Sequence, residues 1–159
     1  MTLLVSILAL LMSIAAFSVA FSQMKIASAK TKLDLYNKRF QIYVTALEYF
    51  QACYKKSHIE IEEKSFEITK VYRESRFLFA KEDGIYETLG KIQQNGSTIL
   101  TFEKNKYEIE NNRTNNQFDL DIHHEHAVKA RLDFEENLKL LEVQMEKYIQ
   151  FKEISGWSL

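Results

Sequence analysis

Between Leu3 and Ser22 the chain carries no charge, no glycine and no proline, and sixteen of the twenty side chains are apolar. No other stretch restricts the fold so strongly. At ~1.5 Å per helical residue it covers the roughly 30 Å of a hydrocarbon core, so residues 1–22 are predicted to form a transmembrane anchor. The competing reading is a cleaved secretory signal with Ala27-Ser28-Ala29 as its cleavage site. Such signals use a basic start and a shorter apolar core, and Met1-Thr2 adds no side-chain charge.

The residues after the span set its orientation. Lys25, Lys30, Lys32, Lys38 and Arg39 follow it against the single acid Asp34. The excess of cations predicts residues 23–159 in the cytoplasm, with a two-residue amino terminus outside. Lys25, Lys30 and Lys32 are also candidates for holding anionic lipid headgroups, at ~1 kcal/mol per residue close to the surface. Setting topology is their plainer role.

From Ile26 the apolar and small residues recur at Ala29, Leu33, Tyr36, Phe40, Tyr43, Leu47, Phe50 and Tyr54, a three-four alternation that predicts a first long helix over 23–54. No breaker separates it from the anchor, so the two read as one continuous helix. Aromatics at these positions do not suit a two-stranded coiled coil, which prefers branched aliphatics. Flanked by Leu35, Ile42, Val44 and Tyr49, the seam instead suits a multi-helix bundle made with the chain's own later helices.

Those later helices follow from what is missing. The 159 residues include no proline and only four glycines, few of the residues that stop a helix, and the domain at 23–159 is expected to be all-α. Ser57-His58-Ile59-Glu60 has the spacing of a capping box, and the middle helices are placed within 58–110. The first runs over 58–81 through Phe66, Ile68, Val71, Tyr72, Phe77 and Phe79. Lys81 to Gly84 reads as a turn with Asp83 as a cap. A shorter helix through Ile85, Leu89 and Ile92 is expected to end at Asn95-Gly96, before a weaker pattern through Ile99, Phe102, Tyr107 and Ile109. Residues 111–117 are polar and Asn-rich and read as a linker. The last long helix spans 118–151, with a stripe of Ala127, Phe134, Leu138, Leu141, Met145 and Tyr148. Its length matches the first, which predicts an antiparallel multi-helix cytoplasmic bundle.

Lys32-Leu33, Leu35-Tyr36, Lys38-Arg39-Phe40 and Tyr43 after the span, Glu74 and Arg76-Phe77-Leu78-Phe79 in the middle, and Gln144, Tyr148 and Phe151 near the end together resemble a widespread family of short bacterial single-span membrane proteins. The resemblance implies a bacterial inner-membrane setting and carries over no catalytic residue.

Charge and motifs narrow the chemistry. Residues 23–56 hold seven Lys or Arg against two acids, and residues 57–159 hold fourteen against twenty, so the distal part is a poor match for nucleic acid. The lone Cys53 permits no intrachain disulfide, which fits a reducing compartment. Two glycosylation sequons, at Asn95 and Asn112, carry no meaning in that setting. Gly84 to Gly90-Lys91 has the wrong spacing for a phosphate loop, and Ile92 stands where a magnesium-binding hydroxyl belongs. On a helix Asp119, His123 and His126 fall at i, i+4 and i+7, one face able to offer a divalent metal two imidazoles and a carboxylate. The plainer reading is a solvated helix start whose acids favour the dipole.

The expected function is therefore non-enzymatic, with no resident cofactor: an interaction, scaffold or oligomerisation module at the cytoplasmic face of the membrane. Its partners would be the lipid bilayer and either another protein or further copies of itself. The alternative is a ligand- or metal-responsive sensor or effector using the Asp/His cluster at 119–126.

Overall fold

The computed structural model describes residues 2–55, 57–111 and 117–150, and side chains within these ranges except for Thr2 and residues 117–122. Among the described residues there are four α-helices and no strand: α1 (Thr2–Lys55), α2 (His58–Leu78), α3 (Ile85–Glu110) and α4 (Gln117–Ile149), with one turn of 3₁₀ helix at Lys81–Asp83. The chain divides into a unit containing Met1–Asn37 and a unit of Lys38–Gln150. The expected linker falls largely on residues outside the described ones.

The first unit is the amino-terminal part of α1. It is long and apolar enough to cross a membrane by length and composition, and none of its apolar window is buried within the protein. Its serines do not interrupt that character. Ser13, Ser18 and Ser22 each donate a hydroxyl to the carbonyl four residues earlier, at 2.9, 3.0 and 3.0 Å. Each hydroxyl is thereby satisfied within the helix. Phe17 and Phe21 stack along one side, and the Lys25 ammonium lies 5.0 Å from the Phe21 ring.

In the second unit the carboxyl end of α1 packs with the other three helices around one core. The buried positions of α1 are Ile42, Thr45, Ala46, Tyr49, Ala52 and Cys53. The seam is therefore displaced from the expected one: Tyr43, Leu47 and Phe50 are only partly buried, and Phe40 and Tyr54 are exposed. Small residues explain the displacement. Thr45, Ala46 and Ala52 let neighbouring helices approach closely, and Tyr49 fills the space between them. Each large apolar side chain fully buried here contributes about 1.5–3 kcal/mol.

Periodicity accounts for the remaining core. Ile61, Ile68, Val71 and Ser75 of α2 face inward, as do Ile85, Leu89, Ile92, Ile99 and Phe102 of α3. From α4 come Ala127, Ala130, Phe134, Leu138, Leu141 and Met145, close to the expected stripe. Ser57 caps α2 as its spacing implies, accepting the Glu60 amide at 3.5 Å, while the Glu60 carboxylate takes Lys55 at 2.7 Å instead of closing the box.

Two expectations fail in α3. It does not end at Asn95-Gly96 but runs unbroken to Glu110, because Gly96 is a notch for another helix: a Cβ there would meet the Tyr49 ring at 2.2 Å. Nor does Asp83 cap the helix. The residue at that position is Gly84, whose φ of 69° is left-handed and suits glycine, and Asp83 turns toward α4.

Candidate functional site

α2 and α4 each pack between α1 and α3. For α2 the ties are Lys64 donating to Glu48 at 2.9 Å, Lys104 to Glu62 at 2.6 Å and Gln93 to Thr69 at 2.7 Å. For α4 they are Tyr43 donating to Glu142 at 2.7 Å, Arg131 to Glu103 at 2.6 Å, and Phe134 against both Tyr49 and Phe50. The outer faces of α2 and α4 therefore point to opposite sides of this unit.

Both outer faces carry exposed large apolar side chains. On α2, Ile59, Phe66 and Phe77 lie along one side, nearly opposite the buried row, and the two rings are 72% and 87% exposed. Phe66 and Phe77, two of the residues through which this helix is predicted, stand outside the core, to which Ile61, Ile68, Val71 and Ser75 are the helix's buried contribution. On α4, Val128, Leu132, Leu140 and Val143 form a second ridge opposite the inward stripe, with Leu132 at 59% and Val143 at 69%. A helix that is apolar on two opposite sides presents one of them to something other than its own core. Charges of both signs run along each ridge: Glu63, Lys70, Arg73 and Glu74 on α2, and Lys129, Glu136 and Lys139 on α4. Beside Phe77 an open cleft of about 470 Å³ is lined by Lys38, Gln41 and Ile42 of α1 and by Lys70, Val71, Glu74, Phe77 and Leu78 of α2.

At one end of the unit a clasp joins three helices. Arg39 donates from Nε to the Leu78 carbonyl at 3.0 Å while its guanidinium lies 4.4 Å from the Tyr148 ring. Tyr148 packs edge-on to Phe79, accepts the Ala80 amide at 3.2 Å and donates its hydroxyl to Asp83. Lys147 donates to the other Asp83 oxygen at 2.5 Å. These donors hold the Asp83 carboxyl below the usual carboxylate range.

Toward the other end, Glu103 and Arg131 form a buried pair, their side chains 5% and 14% exposed. Cys53 lies in the field of both, and burial pushes its thiol up to about 12. A thiol so rarely ionised is packing rather than a nucleophile.

His123 and His126 lie on α4, half-buried and exposed respectively; Asp119 is on the same helix, with its side chain outside the described residues. No group of three or more His, Cys, Asp or Glu side chains converges on a metal position among the described residues. The neighbouring His124 packs on Phe102 at 5.4 Å. Lys25, Lys30 and Lys32 are exposed on α1. The two outer ridges were missed because local spacing identifies apolar helical positions without saying which of two opposite rows faces inward. The visible signal was a surplus: α4 carries more apolar side chains than one face can hold.

The chain matches no protein-family model, no curated protein and no solved structure among those with which it was compared.

Proposed function

We propose that this chain is a non-enzymatic single-pass protein of the inner membrane whose antiparallel four-helix cytoplasmic bundle is an interaction and oligomerisation module. The observation that carries the reading is the pair of exposed apolar ridges on a bundle whose core is already filled. The uncharged amino-terminal stretch of α1 supports the anchor, and the lysines after it support a cytoplasmic bundle with the amino terminus outside. Antiparallel helix directions are supported by the contacts of Tyr43 with Glu142 and Phe50 with Phe134 on one side, and of Glu48 with Lys64 and Arg39 with Leu78 on the other.

Crosslinking of the full-length protein in native membranes, followed by mass spectrometry, tests the reading. Discrete species containing further copies or one recurrent partner are expected. A chain recovered only as a monomer, without a reproducible neighbour, overturns it. Protease added to sealed inverted vesicles should digest the bundle; a protected bundle overturns the orientation.

A further inference from the structure

Phe17, Phe21, Lys25, Ser28 and Lys32 follow one another at helical spacing, so the five side chains share one face of α1. All five are exposed. The face changes character where the uncharged stretch ends at Ser22. Two stacked rings lie before that boundary, and two ammonium groups with a hydroxyl between them lie beyond it.

The polar half of this face is left unsatisfied by the helix itself. Ser13, Ser18, Ser22 and Thr31 each donate a hydroxyl to the carbonyl four residues earlier, whereas Ser28 makes no such bond among the described residues. Lys25 lies over the Phe21 ring, and neither it nor Lys32 has a carboxylate partner among the described residues. Helical side chains lean toward the amino terminus, which brings Lys32 toward Ser28 one turn earlier. Lys30 lies on the opposite side of the helix, near Asp34, the only acid between Gln23 and Asn37. The face of Lys25 and Lys32 therefore carries cations alone.

An anionic phospholipid is complementary to both halves. Its acyl chain has Phe17 and Phe21 to lie along, in a stretch of which none is buried within the protein. Its phosphate accepts hydrogen bonds, and the lysines bracket about 10 Å of helix at ~1.5 Å per residue, with flexible four-carbon stems that can close on a group between them. A zwitterionic headgroup matches less well, because its ammonium finds no acid on this face.

We propose that Lys25, Ser28 and Lys32 form a binding site for the headgroup of an anionic phospholipid, with Phe17 and Phe21 against its acyl chain. The inference rests on the reading of α1 as a membrane anchor and adds a specific lipid to it. It also separates lysines that the sequence groups together: Lys25 and Lys32 hold the lipid, and Lys30 does not.

Native mass spectrometry tests this, on full-length protein released from nanodiscs of phosphatidylcholine with a minor share of phosphatidylglycerol. Either leaflet of a nanodisc is open to the helix, so the readout does not depend on topology. The lipid retained on the protein should be enriched in phosphatidylglycerol. Lys25→Ala and Lys32→Ala should each lower the enrichment about fivefold. Ser28→Ala should lower it about threefold, and Lys30→Ala by less than about twofold. Excess inorganic phosphate at constant ionic strength should leave it unchanged; displacement by phosphate assigns the site to a free anion and overturns the inference. An equal loss from Lys30→Ala and Lys25→Ala, which means general attraction to a charged surface, also overturns it. If the wild type stays in the nanodisc without enrichment, only this site falls. If the nanodisc does not hold the protein, the anchor falls with it.

Discussion

Tyr49 packs directly over Gly96 in the core. The tyrosine ring is fully buried and occupies the volume that a side chain on Gly96 would need, 2.2 Å from an added Cβ. Inserting one methyl group into a packed interior costs about 1–3 kcal/mol, and at this separation the upper end applies. Gly96→Ala is therefore expected to destabilise the protein by about 3 kcal/mol, measured by chemical or thermal denaturation. Tyr49→Leu should relieve it, so the double variant should be more stable than the two single losses summed by about 1 kcal/mol or more. Simple additivity would mean the ring does not occupy the notch. Asn-Gly is a turn dipeptide in a local reading, which is why the spacing predicted a helix end there. What makes Gly96 a mid-helix residue is a side chain on another helix, and no local pattern records that.

At the scale of elements, the helices were legible and their junctions were not. The uncharged stretch, the absence of proline and the three-four alternation predicted α1 and α4 nearly to their ends, since those signals are repeated many times along a helix. The turn between α2 and α3 depends on single residues, and Asp83 serves a partner far along the chain rather than the helix beside it. Its bonds to Lys147 and Tyr148 tie that turn to the last turns of α4. The folded carboxyl titrates below its unfolded value of about 3.9, because both donors favour the ionised form. The stability it contributes is present above that unfolded value and is lost as pH falls through the lower folded one. Asp83→Asn should lower Tm at neutral pH, and the gap from wild type should close progressively below about pH 4. A gap that stays constant through that range would show that the carboxylate does not carry the clasp.

For the molecule as a whole, the proposed anchor and the proposed interaction surface would act on one equilibrium. A docking surface made of a few exposed side chains is weak in dilute solution, and holding copies in one bilayer raises their effective concentration without adding a contact. The anchor can be tested by magnitude. Its eleven Leu, Ile, Phe and Val residues between Leu3 and Phe21 each favour insertion by about 0.3–0.6 kcal/mol, and one central arginine opposes it by about 2.5–3.5 kcal/mol. One arginine brings the segment close to balance; two exceed what the apolar residues supply. Leu8→Arg with Leu11→Arg is thus expected to release the chain from carbonate-washed membranes that retain the wild type, read by flotation so that aggregates are not counted as inserted protein. Circular dichroism of the released chain should remain helical, because Leu8 and Leu11 make no part of the core of the Lys38–Gln150 unit. The same release should lower the yield of crosslinked oligomers at equal protein concentration, since the bundle is unchanged and only the confinement is gone. A released chain that is crosslinked undiminished would show that the bundle alone holds the oligomer together and that the membrane merely locates it.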